Sequence, residues 1–393
     1  MMMQRIGCDC VAGQLLKCPL PYSAMRPPRI RPATLLAIAL LFATSHIASG
    51  QTPHHTRNVV LIVSDGLRWQ EIFQGADSQL MNRKYGHVED TAALRRAFLR
   101  DNADSARAAL FPFIWNVVAK QGEIFGNRTL QSEADVTNGF KFSYPGYNEM
   151  ISGHPDPRIN SNNAGPNPNL TVFEWLDTRP GFAGRVAIFG TWNEFADIFN
   201  RGRSHLPIWA AFDAPPTASP PTARDTLLVN LYGTTTRLWS DLAYDSFMQA
   251  EVREYVARSH PRVMFVGYGE TDEWAHMGRY DMVLTSAHQF DHFVGDLWNA
   301  MQRMPQYHDS TTFIITADHG RGSGLTAWTD HGADVAGAEA IWIAVIGPDT
   351  PARGERMHAS RVTQSQIAAT IASLLGENYS AAVPAAAPPL PVH

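Results

Sequence analysis

The sequence predicts an α/β domain: a doubly wound, mainly parallel central sheet with helices on both faces. Three observations predict it. Five short apolar runs are continuous rather than alternating, as strands buried on both faces are. Segments with apolar residues at spacings of three and four lie between them, as amphipathic helices do. Strand and helix patterns alternate along the chain, which is the order of a doubly wound sheet.

The apolar runs are Asn58–Ser64 (NVVLIVS), Arg185–Gly190 (RVAIFG), Arg262–Gly267 (RVMFVG), Thr311–Ala317 (TTFIITA) and Ala340–Ile346 (AIWIAVI). The clearest helical pattern covers about Tyr280–Met304, where Val283, Ala287, Phe290, Val294, Leu297, Met301 and Met304 form one stripe. A second covers about Leu242–Ala257, and a third Gln364–Leu375, with Gly376 as its C-terminal stop. Asn160–Asn169 (NSNNAGPNPN) and Asp213–Arg224 (DAPPTASPPTAR) read as loops, being too rich in Asn, Pro and Gly for regular structure. No internal repeat and no second-domain boundary is visible, so residues 51–380 are expected to form one domain. The Ala- and Pro-rich tail 381–393 is expected to be disordered.

Residues 1–50 read as a leader. Arg26, Arg29 and Arg31 precede an apolar stretch from about Ala33 to Ala43, and Ala48-Ser49-Gly50 offers small residues before Gln51. This is the pattern of a secretory signal, with Met25 as the more natural start. The expected location is periplasmic or secreted, with no stable membrane anchor. All three cysteines, Cys8, Cys10 and Cys18, lie upstream of Met25. The mature chain thus has no disulfide, cysteine nucleophile or thiolate metal site. Within 393 residues, 45% are apolar and 18% charged, which excludes a fully disordered chain and a polytopic membrane protein. The leader holds five Lys/Arg and one acidic residue, so its loss takes the net charge from −5 to −9. That acidity argues against a nucleic-acid polymer as partner.

Ligands in open α/β sheets bind beyond the carboxyl ends of strands. After the first run comes Ser64-Asp65-Gly66, and after the third Thr271-Asp272-Glu273-Trp274-Ala275-His276. Asp318-His319-Gly320 follows the fourth run, and Asp330-His331-Gly332 precedes the fifth. Taken singly, these are turn residues, helix caps or solvated faces. Spread over successive strand ends, they form a carboxylate and imidazole set suited to Zn²⁺ or Mn²⁺.

This order resembles the alkaline phosphatase superfamily, and most closely its nucleotide pyrophosphatase/phosphodiesterase branch. The resemblance runs from Asn58 to Gly376. The family's opening strand and metal-binding Asp are matched by Asn58–Gly66. Its Thr or Ser nucleophile sits in a Thr-Phe-Pro-Asn stretch leading into a helix that ends in Thr-Gly. Here Phe142-Ser143-Tyr144-Pro145-Gly146-Tyr147-Asn148 leads to Ile151-Ser152-Gly153, so Ser143 falls on the nucleophile and Ser152 on the residue before the Gly. Asp-x-x-x-His is matched by Asp272 and His276, Asp-His-Gly by Asp318 and His319, and the last His by His331.

The resemblance implies an alkaline phosphatase-like fold and a two-ion site. Asp65, Ser143, Asp318 and His319 would hold one ion, and Asp272, His276 and His331 the other, with Zn²⁺ or Mn²⁺ as the metal. The implied activity is hydrolysis of small-molecule phosphodiesters or phosphomonoesters through a phosphoseryl intermediate. A family Asn that donates to a phosphoryl oxygen is matched by Asn162 or Asn163. Ser143 near a helix N-terminus would face free N–H groups, although a plain helix cap would look the same. Arg201 and Arg203 stand where some monoesterases place a phosphate-gripping Lys-x-Arg, or are a solvated basic loop. Trp69, Tyr144, Tyr147, Trp192 and Trp274 are candidates to stack on a leaving group, or are packing residues.

Gly146 departs from the family's usual Asn. The absence of a mature cysteine removes the formylglycine that type I sulfatases make from cysteine. The rival readings are a phosphoglycerate mutase-like or phosphonate-hydrolysing member of the superfamily, and a metal-stabilised binding protein without turnover.

Overall fold

The computed structural model describes residues 54–392. The leader lies outside the described residues. Eight strands form one sheet: β1 Asn58–Ser64, β2 Glu123–Phe125, β3 Val186–Gly190, β4 Ile208–Ala210, β5 Val263–Tyr268, β6 Thr311–Thr316, β7 Ile343–Ile346 and β8 Gly354–Glu355. Their order is β4-β3-β5-β1-β6-β7-β2-β8. The run from β4 to β6 is parallel; β7 pairs antiparallel with both β6 and β2. The sheet is therefore mainly parallel, as the continuous apolar runs predict.

Side-chain alternation explains those runs. Val59, Leu61 and Val63 of β1 enter one core, while Val60 and Ile62 enter the core on the opposite face. Both faces are covered, so no polar residue is needed between them. Helices α1 (Ser143–Ser152) and α5 (Gln366–Leu374) bury residues in the first core; α2 (Asp245–Ser259) and α4 (Tyr280–Gln302) bury residues in the second. The short α3, Glu270–His276, follows β5. Among the described residues no helix is long and apolar enough to cross a membrane.

The observed helices start or stop within about three residues of their sequence-based limits, where fraying and capping blur boundaries. The fifth apolar run is shorter as a strand, because Ala340–Trp342 leads into it without ladder pairing. Strands β2, β4 and β8 carry no apolar run long enough to be read from sequence.

The segment expected to be a disordered tail is packed instead. Leu390 and Val392 are buried, Leu390 N donates to Thr370 Oγ1 at 2.8 Å, and Ala387 N donates to Gly153 O at 2.9 Å. Its prolines hold the chain extended at little further entropic cost. Leu390 and Val392, two positions apart, then reach the same core. Composition alone hides this, because the two apolar anchors sit among residues that elsewhere mark disorder.

Candidate metal and nucleophile site

The strand order puts the C-terminal ends of β1, β5 and β6 side by side, and the predicted residues meet there. Asp65 directly follows β1. Its backbone is pinned by Asp65 N to Tyr268 O at 2.8 Å and by Thr271 Oγ1 donating to Asp65 O at 2.6 Å. Tyr147 donates its hydroxyl to Asp65 Oδ2 at 3.0 Å, which leaves buried Oδ1 without a partner. Burial, and then the neighbouring Asp272 carboxylate, push the Asp65 carboxyl up to about 8.

Gly66 makes the turn that lets these carboxylates approach. Its φ is +58°, and a Cβ there would lie 2.4 Å from Asp272 Oδ1. Its N–H donates to Asp318 Oδ1 at 3.0 Å, while Asp318 Oδ2 is buried and unpaired. Burial and Asp65 push Asp318 well up.

His319 stands at the centre, fully buried. Its Nδ1 lies 2.9 Å from Gly320 O; a carbonyl only accepts, so Nδ1 carries the proton and Nε2 presents a lone pair. That Nε2 is 3.3 Å from Asp65 Oδ1, 3.5 Å from Asp318 Oδ2, 3.7 Å from Asp272 Oδ1 and 3.4 Å from Ser143 Oγ. Burial lowers its imidazole to about 4, which keeps the ring neutral and its Nε2 lone pair available at ordinary pH.

Asp272 and His276 occupy one face of α3, a turn apart, with His276 Nε2 at 3.1 Å from Asp272 Oδ2. His331 arrives from the loop before β7, its Nε2 3.0 Å from His276 Nε2 and its ring stacked on His319 at 4.0 Å. Burial and then His319 lower His331 to about 2. Burial alone would raise Asp272, but the Arg321 charge and then His276 hold it well below the usual carboxylate range.

The donors fit divalent cations. Ligand atoms of Asp65, Asp318 and His319 lie within 4.8 Å of one another, and so do those of Asp272, His319 and His331. Buried carboxylate oxygens without partners, at Asp65 and Asp318, call for a positive charge. The first group holds three of the four residues expected around one ion, and the fourth, Ser143, has its Oγ 3.4 Å from His319 Nε2. In the second, His319 stands between the two ligand sets, and His276 joins through Asp272 and His331.

Ser143 is the first residue of α1, buried, with Phe142 as the N-cap. Its hydroxyl is aimed at His319 rather than capping the helix. Asn162 does the capping from outside: its Oδ1 accepts from Tyr144 N at 3.0 Å. Its amide NH₂ is thereby the end left to donate elsewhere. Gly146 approaches the Asp318 carbonyl so closely that a Cβ would lie 2.4 Å from it, which accounts for the missing Asn side chain there.

A cavity of about 330 Å³ opens over these groups, lined by Asp65, Ser143, Asn162, Asn163, Asp272, His276 and His331. Its other wall holds Trp192, Glu194, Asp241 and Glu273. These three carboxylates were missed by sequence reasoning, as was Arg321; only Glu273, adjacent to Asp272, stood inside a quoted motif. Burial and Asp272 raise Glu273 to about 7.

Several other expectations fall elsewhere. Of the five aromatic candidates, Trp192 alone lines the cavity. Tyr144 donates to Gly165 O at 2.6 Å, Tyr147 serves Asp65, and Trp274 packs edge-on against Trp239 at 5.0 Å. Arg203 is tied to Glu174 and to the carbonyls of Asn167 and Asn169, and Arg201 to Asp213. Neither lines the cavity. Ser152 is buried and donates to Asn148 O, away from the ligands.

Comparison with known proteins gives one family model and a set of solved structures of like fold. Residues 222–379 match the family model of the Metalloenzyme superfamily. No curated protein matches the chain. Among solved structures, the phosphonate monoester hydrolase of Agrobacterium radiobacter superposes with a TM-score of 0.50 at 13% identity, covering 81% of this chain and 74% of its own. The lipoteichoic acid synthase LtaP of Listeria monocytogenes gives 0.50 at 9%, covering 84% and 75%. At such identities the likeness is one of fold. The metalloenzyme match spans α3, β6 and the His331 loop, and the mainly parallel sheet with helices on both faces matches the fold of these structures.

Proposed function

We infer that the protein hydrolyses small-molecule phosphate esters, diesters or monoesters, with Ser143 as nucleophile and two divalent ions, Zn²⁺ or Mn²⁺. Asp65, Asp318, His319 and Ser143 would hold one ion; Asp272, His276 and His331 would hold the other. The observation that carries the reading is a buried serine hydroxyl converging with three Asp and three His side chains, of which Asp65, Asp272, His276 and His331 line one cavity with it.

When bound, the ions supply the positive charge that ionises a serine and neutralises a phosphoryl group. The chain's residues do the rest. Ser143 Oγ forms the new bond to phosphorus, and the ester oxygen leaves with its electron pair. A water then attacks the phosphoseryl group and returns the serine. Asn162 Nδ2 donates to a non-bridging oxygen, as its held Oδ1 dictates. Gly66 and Gly146 let the carboxylates and α1 approach without a side chain between them. The uncompensated wall of Glu194, Asp241 and Glu273 favours a compact ester over a polyanionic polymer.

The resemblance of the Ser143 segment to the nucleotide pyrophosphatase/phosphodiesterase branch favours diesters. The leader-like first fifty residues support export to the periplasm or the medium, which cell fractionation of the full chain checks. Hydrolysis of bis-p-nitrophenyl phosphate and p-nitrophenyl phosphate, with and without exhaustive chelation, tests the reaction. Rates untouched by chelation sink it. A parallel panel of sulfate esters, phosphonates and sugar phosphates separates the sulfuryl, phosphonate and mutase alternatives.

A further inference from the structure

Arg321 is a buried guanidinium that does not line the cavity, so it touches no substrate. It joins three ligand-bearing segments. It lies two residues beyond His319 on the loop after β6. Its Nη2 donates to Asp272 Oδ1 and, at 3.1 Å, to the main-chain oxygen of Asp272 on α3. Its Nη1 donates to Thr329 O, two residues before His331. Gly322 N donates to Asp330 O at 3.0 Å and closes the same loop. A Cβ on Gly66 would lie 2.8 Å from Arg321 Nε, so the guanidinium also abuts the turn after β1.

The electrostatics of the two ion pockets are consequently unequal. Asp65 and Asp318 make no ion pair with an Arg or Lys among the described residues; the Arg321 charge reaches Asp65 only as a lesser influence, behind burial, Asp272 and Tyr147. Asp272 already has a permanent cation on one oxygen, because a guanidinium does not deprotonate in a protein. An ion entering between Asp272, His276 and His331 meets a carboxylate whose charge is partly spent, with a like charge behind it. The same pair keeps Asp272 from standing buried and uncompensated when no ion is present.

We propose that Arg321 is the resident counter-cation of Asp272. It is a positioning residue that holds α3 and the His331 loop together, and it makes the Asp272–His276–His331 pocket the weaker of two. The Asp65–Asp318–His319 pocket fills first and retains its ion; the other fills second and exchanges. This rests on the two-ion reading above.

The test is a metal-binding titration, independent of turnover. Metal-free wild type, R321Q and R321K are titrated with Zn²⁺ against a chromogenic chelator, and the thermal midpoint of each is read with and without metal. In wild type the second ion should bind about tenfold or more weaker than the first. In R321Q the second ion should tighten by about tenfold or more, the first changing by less than about threefold. The metal-free midpoint of R321Q should fall and be recovered by Zn²⁺; a variant that folds only with Zn²⁺ is the extreme of the same result. R321K, which keeps the charge, should keep the inequality. Equal affinities in wild type, an unchanged or weakened second ion in folded R321Q, or loss of the inequality in R321K overturns the proposal. If R321Q folds under no condition, R321K decides alone. A stoichiometry of one ion in wild type removes the two-ion reading and this inference together, whereas two ions unaffected by Arg321 remove only the inference.

Discussion

Ser143 Oγ lies 3.4 Å from His319 Nε2, although the two residues are 176 positions apart in the chain. A serine used only as a cap would turn toward its own helix, yet this one faces the ligand cluster. Ser143→Ala should therefore lower kcat on bis-p-nitrophenyl phosphate by about a thousandfold or more, with metal still held, more weakly, by the remaining Asp and His ligands. Ser143→Thr should retain part of the rate. Wild-type activity in the alanine variant ends the nucleophile assignment. Retained ligand affinity with no turnover in either protein would favour a binding role.

His319 Nε2 lies within 3.7 Å of a carboxylate oxygen of each of the three Asp side chains. His319→Ala should lose at least one bound ion on metal analysis and nearly all activity. Chelated wild type should regain its rate when Zn²⁺ or Mn²⁺ is returned, whereas the variant should not.

Gly146 packs against backbone rather than a movable side chain. Gly146→Ala must push α1 away from the Asp318 carbonyl. A loss of roughly 1–3 kcal/mol in stability is expected, despite the better helix propensity of alanine. Denaturant unfolding checks this, and an unaltered midpoint contradicts the packing.

Asp291 is fully buried in α4 and accepts from Phe113 N at 2.7 Å and Ile114 N at 2.9 Å. Burial outweighs those bonds and raises its carboxyl to about 7. A folded pKa above the unfolded one means the contribution is full below about pH 4 and is lost as pH rises toward about 7. Asp291→Asn lacks this titration and satisfies only one of the two N–H groups well. Relative to this variant, wild type should therefore lose several degrees of melting temperature between pH 4.5 and pH 8. A midpoint difference that does not move with pH refutes the assignment.

The C-terminal segment tests the packing correction. A stop after Pro384 removes buried Leu390 and Val392. Uncovering two such side chains should cost about 3–6 kcal/mol. A truncated chain with the wild-type melting temperature would restore the disordered tail.

The sequence by itself determined the class of fold, because a strand buried on both faces must be apolar throughout, as NVVLIVS and TTFIITA are. It also named Asp65, Asp272, His276, Asp318, His319 and His331, since their order around strand ends is a local pattern, and Ser143 through the family resemblance of its segment. Only the tertiary structure decided what surrounds them. Arg321 bears on Asp272 because β1 lies between β5 and β6, a pairing with no trace in either segment. Glu194 and Asp241 reach the cavity from loops far from any ligand motif, and Arg201 and Arg203 are claimed by partners that no spacing reveals. Burial turns the Ala- and Pro-rich end into part of the core, and burial is a property of what packs against a residue, which composition does not encode.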